Sequence, residues 1–165
     1  MTRTAKVFDV SSGVLVRTIG EDHVDFAFSV CLSPDGERLF VCDTHGGGVH
    51  VFAVADGTLE RTIGTEGQGA GQLQYPRSVC LSRDGGTLFV SDGGNHRVQI
   101  FSAVDGAPIP SKLMQEHGHN DGQFHVIAGI CVSPDGKLLY AADRFNHRVQ
   151  VFTACAPEPL ALKSE

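Results

Sequence analysis

Two identical pentapeptides carry the side chains most able to do chemistry: Asn95-His96-Arg97-Val98-Gln99 and Asn146-His147-Arg148-Val149-Gln150. An imidazole beside a guanidinium can move a proton or, with further imidazoles, hold a metal. The supporting cast is thin. Of eight histidines, only the pair in His117-Gly118-His119 has metal-ligand character, and no Glu-His spacing accompanies it. Zinc catalysis needs about three protein ligands and an open position. Calcium needs clustered carboxylates, whereas Asp43, Asp92 and Asp143 are spread along the chain. Cys31, Cys42, Cys80, Cys131 and Cys155 include no C-x-x-C pair. No Gly-x-Ser-x-Gly, phosphate-binding loop or Cys-His nucleophile pattern occurs. The expectation is a non-catalytic chain with no catalytic residue, metal or cofactor.

The pentapeptides recur because the chain recurs. SVCLSPDG at 29–36 returns as SVCLSRDG at 78–85 and GICVSPDG at 129–136. RLFVCD at 38–43 returns as TLFVSD at 87–92 and LLYAAD at 138–143. VHVF, VQIF and VQVF follow at 49–52, 98–101 and 149–152, and LVRTIG at 15–20 matches LERTIG at 59–64. Each unit reads as four short strands, in the middle unit Arg77–Ser82, Thr87–Ser91, Arg97–Phe101 and a fourth near Ala107–Leu113. Apolar residues fill the first two strands with little alternation, which predicts sheets buried on both faces. Ser33-Pro34-Asp35-Gly36 has the residues of a type I turn, and Asp56-Gly57 and Asp105-Gly106 mark a second hairpin. Three equivalent cysteines, Cys31, Cys80 and Cys131, fall mid-strand and read as core.

Four-stranded antiparallel units stacked radially make an all-β fold, the β-propeller. The stretch GAGQLQYPRSVCLSRDGGTLFVSDGGNHRVQIF at 69–101 resembles the NHL repeat, and the resemblance extends over about 26–152. Residues 1–25 read as a partial blade (strands three and four), 26–64 as blade 1 and 65–114 as blade 2. Residues 115–152 read as blade 3 lacking its fourth strand, and 153–165 as a tail. That makes about three blades, half of the six-bladed ring the resemblance implies. A longer protein, an open arc or a head-to-tail homodimer closing the six-bladed ring would each account for it.

The net charge is −6 and basic residues do not cluster, which disfavours nucleic acid as a partner. No apolar run has the length of a membrane span, and no secretory signal precedes residue 10. A cytoplasmic protein with reduced thiols is expected. The Asp–Asn positions of each unit shape the loop between strands two and three, with Asp92 accepting backbone N–H groups, Asn95 suited to a left-handed conformation, and His96 and Arg97 packing or bonding against the neighbouring loop. The resemblance implies that this loop face binds a protein partner, in some relatives as the substrate-recognition part of a ubiquitin-ligase system. RNA-binding propellers and metal-dependent propeller lyases are the alternatives. The candidate partner-binding residues are Tyr75, Arg77, His96, Arg97 and His119 in the middle of the chain. Phe124, Arg144, Phe145, His147 and Arg148 complete the set, with His117 and His125 in the same loops.

Overall fold

The structure, a computed structural model, describes residues 4–110 and 116–154. Its hairpins are built by the turns expected of them. In each of three Ser-x-Asp-Gly turns, the glycine N–H donates to the serine carbonyl, from Gly36 to Ser33, Gly85 to Ser82 and Gly136 to Ser133. The serine hydroxyl in turn donates to the turn aspartate. The three glycines have φ of 75° to 76°, a region open to them because they lack a Cβ.

These turns join the first two strands of each repeat. A leading pair, β1 (Ala5–Phe8) and β2 (Leu15–Ile19), forms a two-stranded antiparallel sheet. A four-stranded sheet follows in the order β3 (Ala27–Leu32), β4 (Arg38–Asp43), β5 (Gly48–Ala53) and β6 (Leu59–Ile63). Next, β7 (Thr65–Glu66) and β8 (Gln72–Leu73) pair in parallel within a connecting loop. The second four-stranded sheet contains β9 (Pro76–Leu81), β10 (Thr87–Asp92), β11 (Arg97–Ser102) and β12 (Pro108–Ile109). The last is three-stranded, β13 (Ile127–Val132), β14 (Leu138–Asp143) and β15 (Arg148–Thr153). The sequence does not signal the β7–β8 pair, and of the expected fourth strand in the middle unit the described residues show Pro108–Ile109. Part of that expected strand, 111–113, lies outside the described residues, as do Cys155 and most of the tail.

The second strands of the two four-stranded sheets, β4 and β10, are buried on both faces. Leu39 and Val41 of β4 pack with Ile19, Val24 and Phe52, while Phe40 and Cys42 turn the other way onto Val79, Leu88 and Val90. Phe89 of β10 faces Leu139 and Ala141 of β14 in the next cluster. Three apolar layers thus separate successive sheets, the radial stacking of a β-propeller. Neighbouring first strands are tied by serines: the N–H of Val79 donates to Ser29 Oγ, and that of Ile130 to Ser78 Oγ. Arg17 and Arg61, in the repeated V/E-R-T-I-G, reach forward to carbonyls of the next sheet's turn, Val54 and Ala55 for one and Ala103 for the other. At the two ends of the stack, Phe28, Val30 and Leu32 of β3 and Val149 and Val151 of β15 are exposed. Cys31 and Cys80 pack against the cores, but Cys131, on the uncovered side of the last sheet, is exposed.

Candidate functional site

The loops between second and third strands share one face with the loops that lead into each first strand, and a buried carboxylate organises each junction. Asp92 and Asp143 are fully buried and Asp43 is 1% exposed, so each needs a full set of donors. Asp92 accepts from the backbone N–H of Gln74, Asn95 Nδ2, Arg97 Nε and Gln99 Nε2. Asp143 accepts from the equivalents, the N–H of His125, Asn146 Nδ2, Arg148 Nε and Gln150 Nε2. The chief donors are therefore side chains of the repeated pentapeptide, and the single backbone donor comes from the incoming loop, not the turn. In the first repeat, where glycines replace Asn-His-Arg, four backbone N–H groups, of Asp25, Phe26, His45 and Gly46, take over with His50 Nε2. Burial raises the Asp43 carboxyl, but the N–H groups of Asp25, Gly46 and Phe26 together with His50 outweigh it and leave it below the ordinary value.

The pentapeptide side chains also clamp the incoming loop. Arg97 Nη2 donates to the carbonyls of Gly69 and Gln72, and Asn95 Nδ2 to that of Gly67. Arg148 likewise reaches the carbonyls of His119, Asn120 and Gln123. Gln99 and Gln150 accept from the N–H of Gly71 and Gly122. Both arginines are thus engaged within the fold. The left-handed residues are His96 (φ 54°) and His147 (φ 52°), not the asparagines; Asn95 and Asn146 end short 3-10 turns with their amides turned onto the buried aspartates.

The remaining candidates divide by exposure. Phe124 is fully buried, packed on Phe152 at 5.9 Å between ring centroids; as a core residue it offers no surface to a partner, which corrects its assignment to the binding set. Its periodic equivalent Leu73 is buried in the same way. Tyr75 (φ 48°) and Phe145 are about half exposed. Arg144 lies over the Phe145 ring at 5.2 Å, and Arg77 over Phe28 at 6.0 Å. Arg77 Nε is buried without a hydrogen-bond partner among the described residues. His147 is exposed, whereas His96 Nδ1 meets the carbonyl of His125 and His119 Nδ1 meets Asn146 Oδ1 at 2.6 Å. Desolvation, then the neighbouring His96, His125 and His119, hold His117 below the ordinary histidine value.

Two aromatic residues escaped the sequence reading. Phe26 and Phe28 are 49% and 51% exposed, with His45 packed on Phe26 at 4.9 Å. The signal was the repeat itself: Phe26 is the counterpart of Tyr75 and Phe28 that of Arg77 when 29–36 is laid on 78–85.

A family model described as NHL repeat matches residues 73–101 and 124–152. Among solved structures, a chain of Kuenenia stuttgartiensis hydrazine synthase superposes with a TM-score of 0.67 at 16% identity, over 92% of this chain and 44% of that one. At that identity the likeness is one of fold, and this chain spans less than half the length of its neighbour. No curated protein sequence matches the chain.

Proposed function

Because this chain belongs to the NHL-repeat proteins, we propose that it is a non-catalytic binding module that takes a protein segment on its loop face. The observation that carries this reading is the group of half-exposed aromatic side chains on that face, Phe26, Tyr75 and Phe145, the last under Arg144. Exposed aromatics beside arginine are the groups that dominate protein interfaces, because they bury much apolar area at little entropic cost. Single exposed apolar residues are ordinary, but a cluster on one face is not. Arg77 and Arg144 suit a partner segment that pairs apolar side chains with Asp or Glu. A role as the substrate-recognition part of a ubiquitin-ligase system would use the same face.

Selection from a displayed random peptide library on the immobilised full chain tests the proposal. Enrichment of acidic, apolar-rich peptides is expected, with binding weakened at least about tenfold by Tyr75→Ala with Phe145→Ala, the size of loss an interface hot spot gives. Absence of enrichment over an unrelated all-β protein, or binding indifferent to those substitutions, would overturn it. Tight binding of single-stranded RNA that falls steeply with salt would place the chain among nucleic-acid readers instead.

A further inference from the structure

Peptide recognition by aromatic and arginine side chains leaves a second group on the loop face unused. Four imidazoles meet where the turn after β10 abuts the loop before β13. Ring centroids are 4.5 Å apart for His96–His117 and 4.9 Å for His117–His125. They are 6.0 Å apart for His119–His125 and 6.4 Å for His117–His119. In the sequence only His117 and His119 stand together; folding adds His96 from the preceding repeat and His125 from the end of the same loop.

We propose that this cluster binds one divalent transition-metal ion of the zinc, nickel or cobalt class. An all-imidazole donor set suits those ions and not calcium or magnesium, which take oxygen ligands. Imidazoles held tetrahedrally at a metal–nitrogen distance of about 2.1 Å have ring centroids about 5 Å apart. These four separations bracket that value.

Two of the four are already set as ligands. A carbonyl oxygen can only accept, so His96 Nδ1, held on the carbonyl of His125, carries the proton and leaves its Nε2 lone pair free. Asn146 spends its amide N–H groups on the Gly118 carbonyl and Asp143. Its Oδ1 therefore faces His119, which donates through Nδ1 and likewise keeps Nε2 free. An Nδ1–H held by an oxygen acceptor is the outer-shell arrangement of metal-binding histidines.

His117 and His119 are exposed and open to an incoming ion. As the rings stand they pack edge to face, and among the described residues no three ligand side chains surround a common point. Rotation of His117 and His125 about their side-chain torsions is the change that binding demands; His117 is exposed and such rotamers exchange rapidly, while half-buried His125 must turn against Phe145. The ion would staple the turn after β10 to the loop before β13, on a face that partner recognition uses at other residues.

Titration of the untagged, reduced full chain with Co2+ alone, followed by calorimetry and visible absorption, tests this. One ion per chain with tetrahedral ligand-field bands and no thiolate charge transfer is expected. Loss of a single outer-shell partner weakens a metal site by about 10–100-fold, so His117→Ala with His119→Ala, both exposed, should weaken binding more than about 100-fold. His23→Ala should bind as the parent does. A thiolate charge-transfer band, no binding, or unchanged affinity in the double variant would overturn the proposal. Each outcome is independent of whether peptides are selected by the aromatic group.

Discussion

Arg97 Nε donates to the buried carboxylate of Asp92 at 2.8 Å while its Nη2 holds the carbonyls of Gly69 and Gln72. One guanidinium thus neutralises a buried charge and fastens a loop. Arg97→Ala strips the loop carbonyls and Asp92 of a charged donor together, and a hydrogen bond to a charged group contributes about 1.5–3 kcal/mol. A loss of at least about 2 kcal/mol is expected, read from the urea midpoint, and Arg148→Ala should behave alike. Lysine cannot reproduce the forked geometry, so Arg97→Lys should recover less than half of the loss.

His147 is exposed and lies at φ 52°. The left-handed region costs an ordinary side chain roughly 1–2 kcal/mol and is worse for β-branched residues. His147→Ile should therefore destabilise the chain by about 1 kcal/mol or more, whereas His147→Asn should be neutral within about 0.5 kcal/mol. Paired thermal melts of the two variants separate backbone strain from loss of the imidazole, because both remove the ring.

Asp43 titrates below the ordinary carboxylate value. A depressed folded pKa adds stability that is complete above the unfolded pKa, about 3.9, and is lost as pH falls through the folded value. Asp143 is depressed too; burial again raises it, and Asn146, the N–H of His125 and Arg148 outweigh the rise. Stability should accordingly be level with respect to these groups near neutrality and fall below about pH 4. Denaturant midpoints measured through that range should fall less steeply for Asp43→Asn, which should also be less stable at neutral pH.

Burial pushes the thiols of Cys31 and Cys80 up to about 12 and raises Cys42 as well. Thiolate is the reactive form, and Cys131 alone among the described cysteines is exposed. Brief alkylation of the native chain, mapped by peptide mass, should label Cys131 well ahead of Cys31, Cys42 and Cys80, which should react only on unfolding.

The repeat made the architecture legible. Strand-rich segments between Ser-x-Asp-Gly turns fix the hairpins, and the double-sided burial of β4 and β10 is written in their unbroken apolar runs. Local pattern does not encode where a side chain is consumed. For Arg97 and Arg148, packing on the neighbouring loop and contact with a partner both stay open, because the acceptors that decide between them lie some 25–28 residues away along the chain. Phe124 reads as loop because the loop dips into the core at one residue, whereas His96 meets the neighbouring loop as expected, on the His125 carbonyl. Phe26 and Phe28 needed only the repeat alignment to be found.

The serine and arginine links between sheets run from one repeat to the next, but the contacts around each buried aspartate do not. Every partner of Asp92 lies between Gly67 and Gln99, and every partner of Asp143 between Gly118 and Gln150. A stretch that starts with the incoming loop and ends with the third strand is therefore electrostatically self-contained. A gene duplication breaking just before the loop copies a charge with all of its neutralising donors. One breaking inside a hairpin would strand a bare carboxylate in an apolar layer. The unit fit to be multiplied is offset from the sheet by one loop, so that each new copy arrives with its own connection.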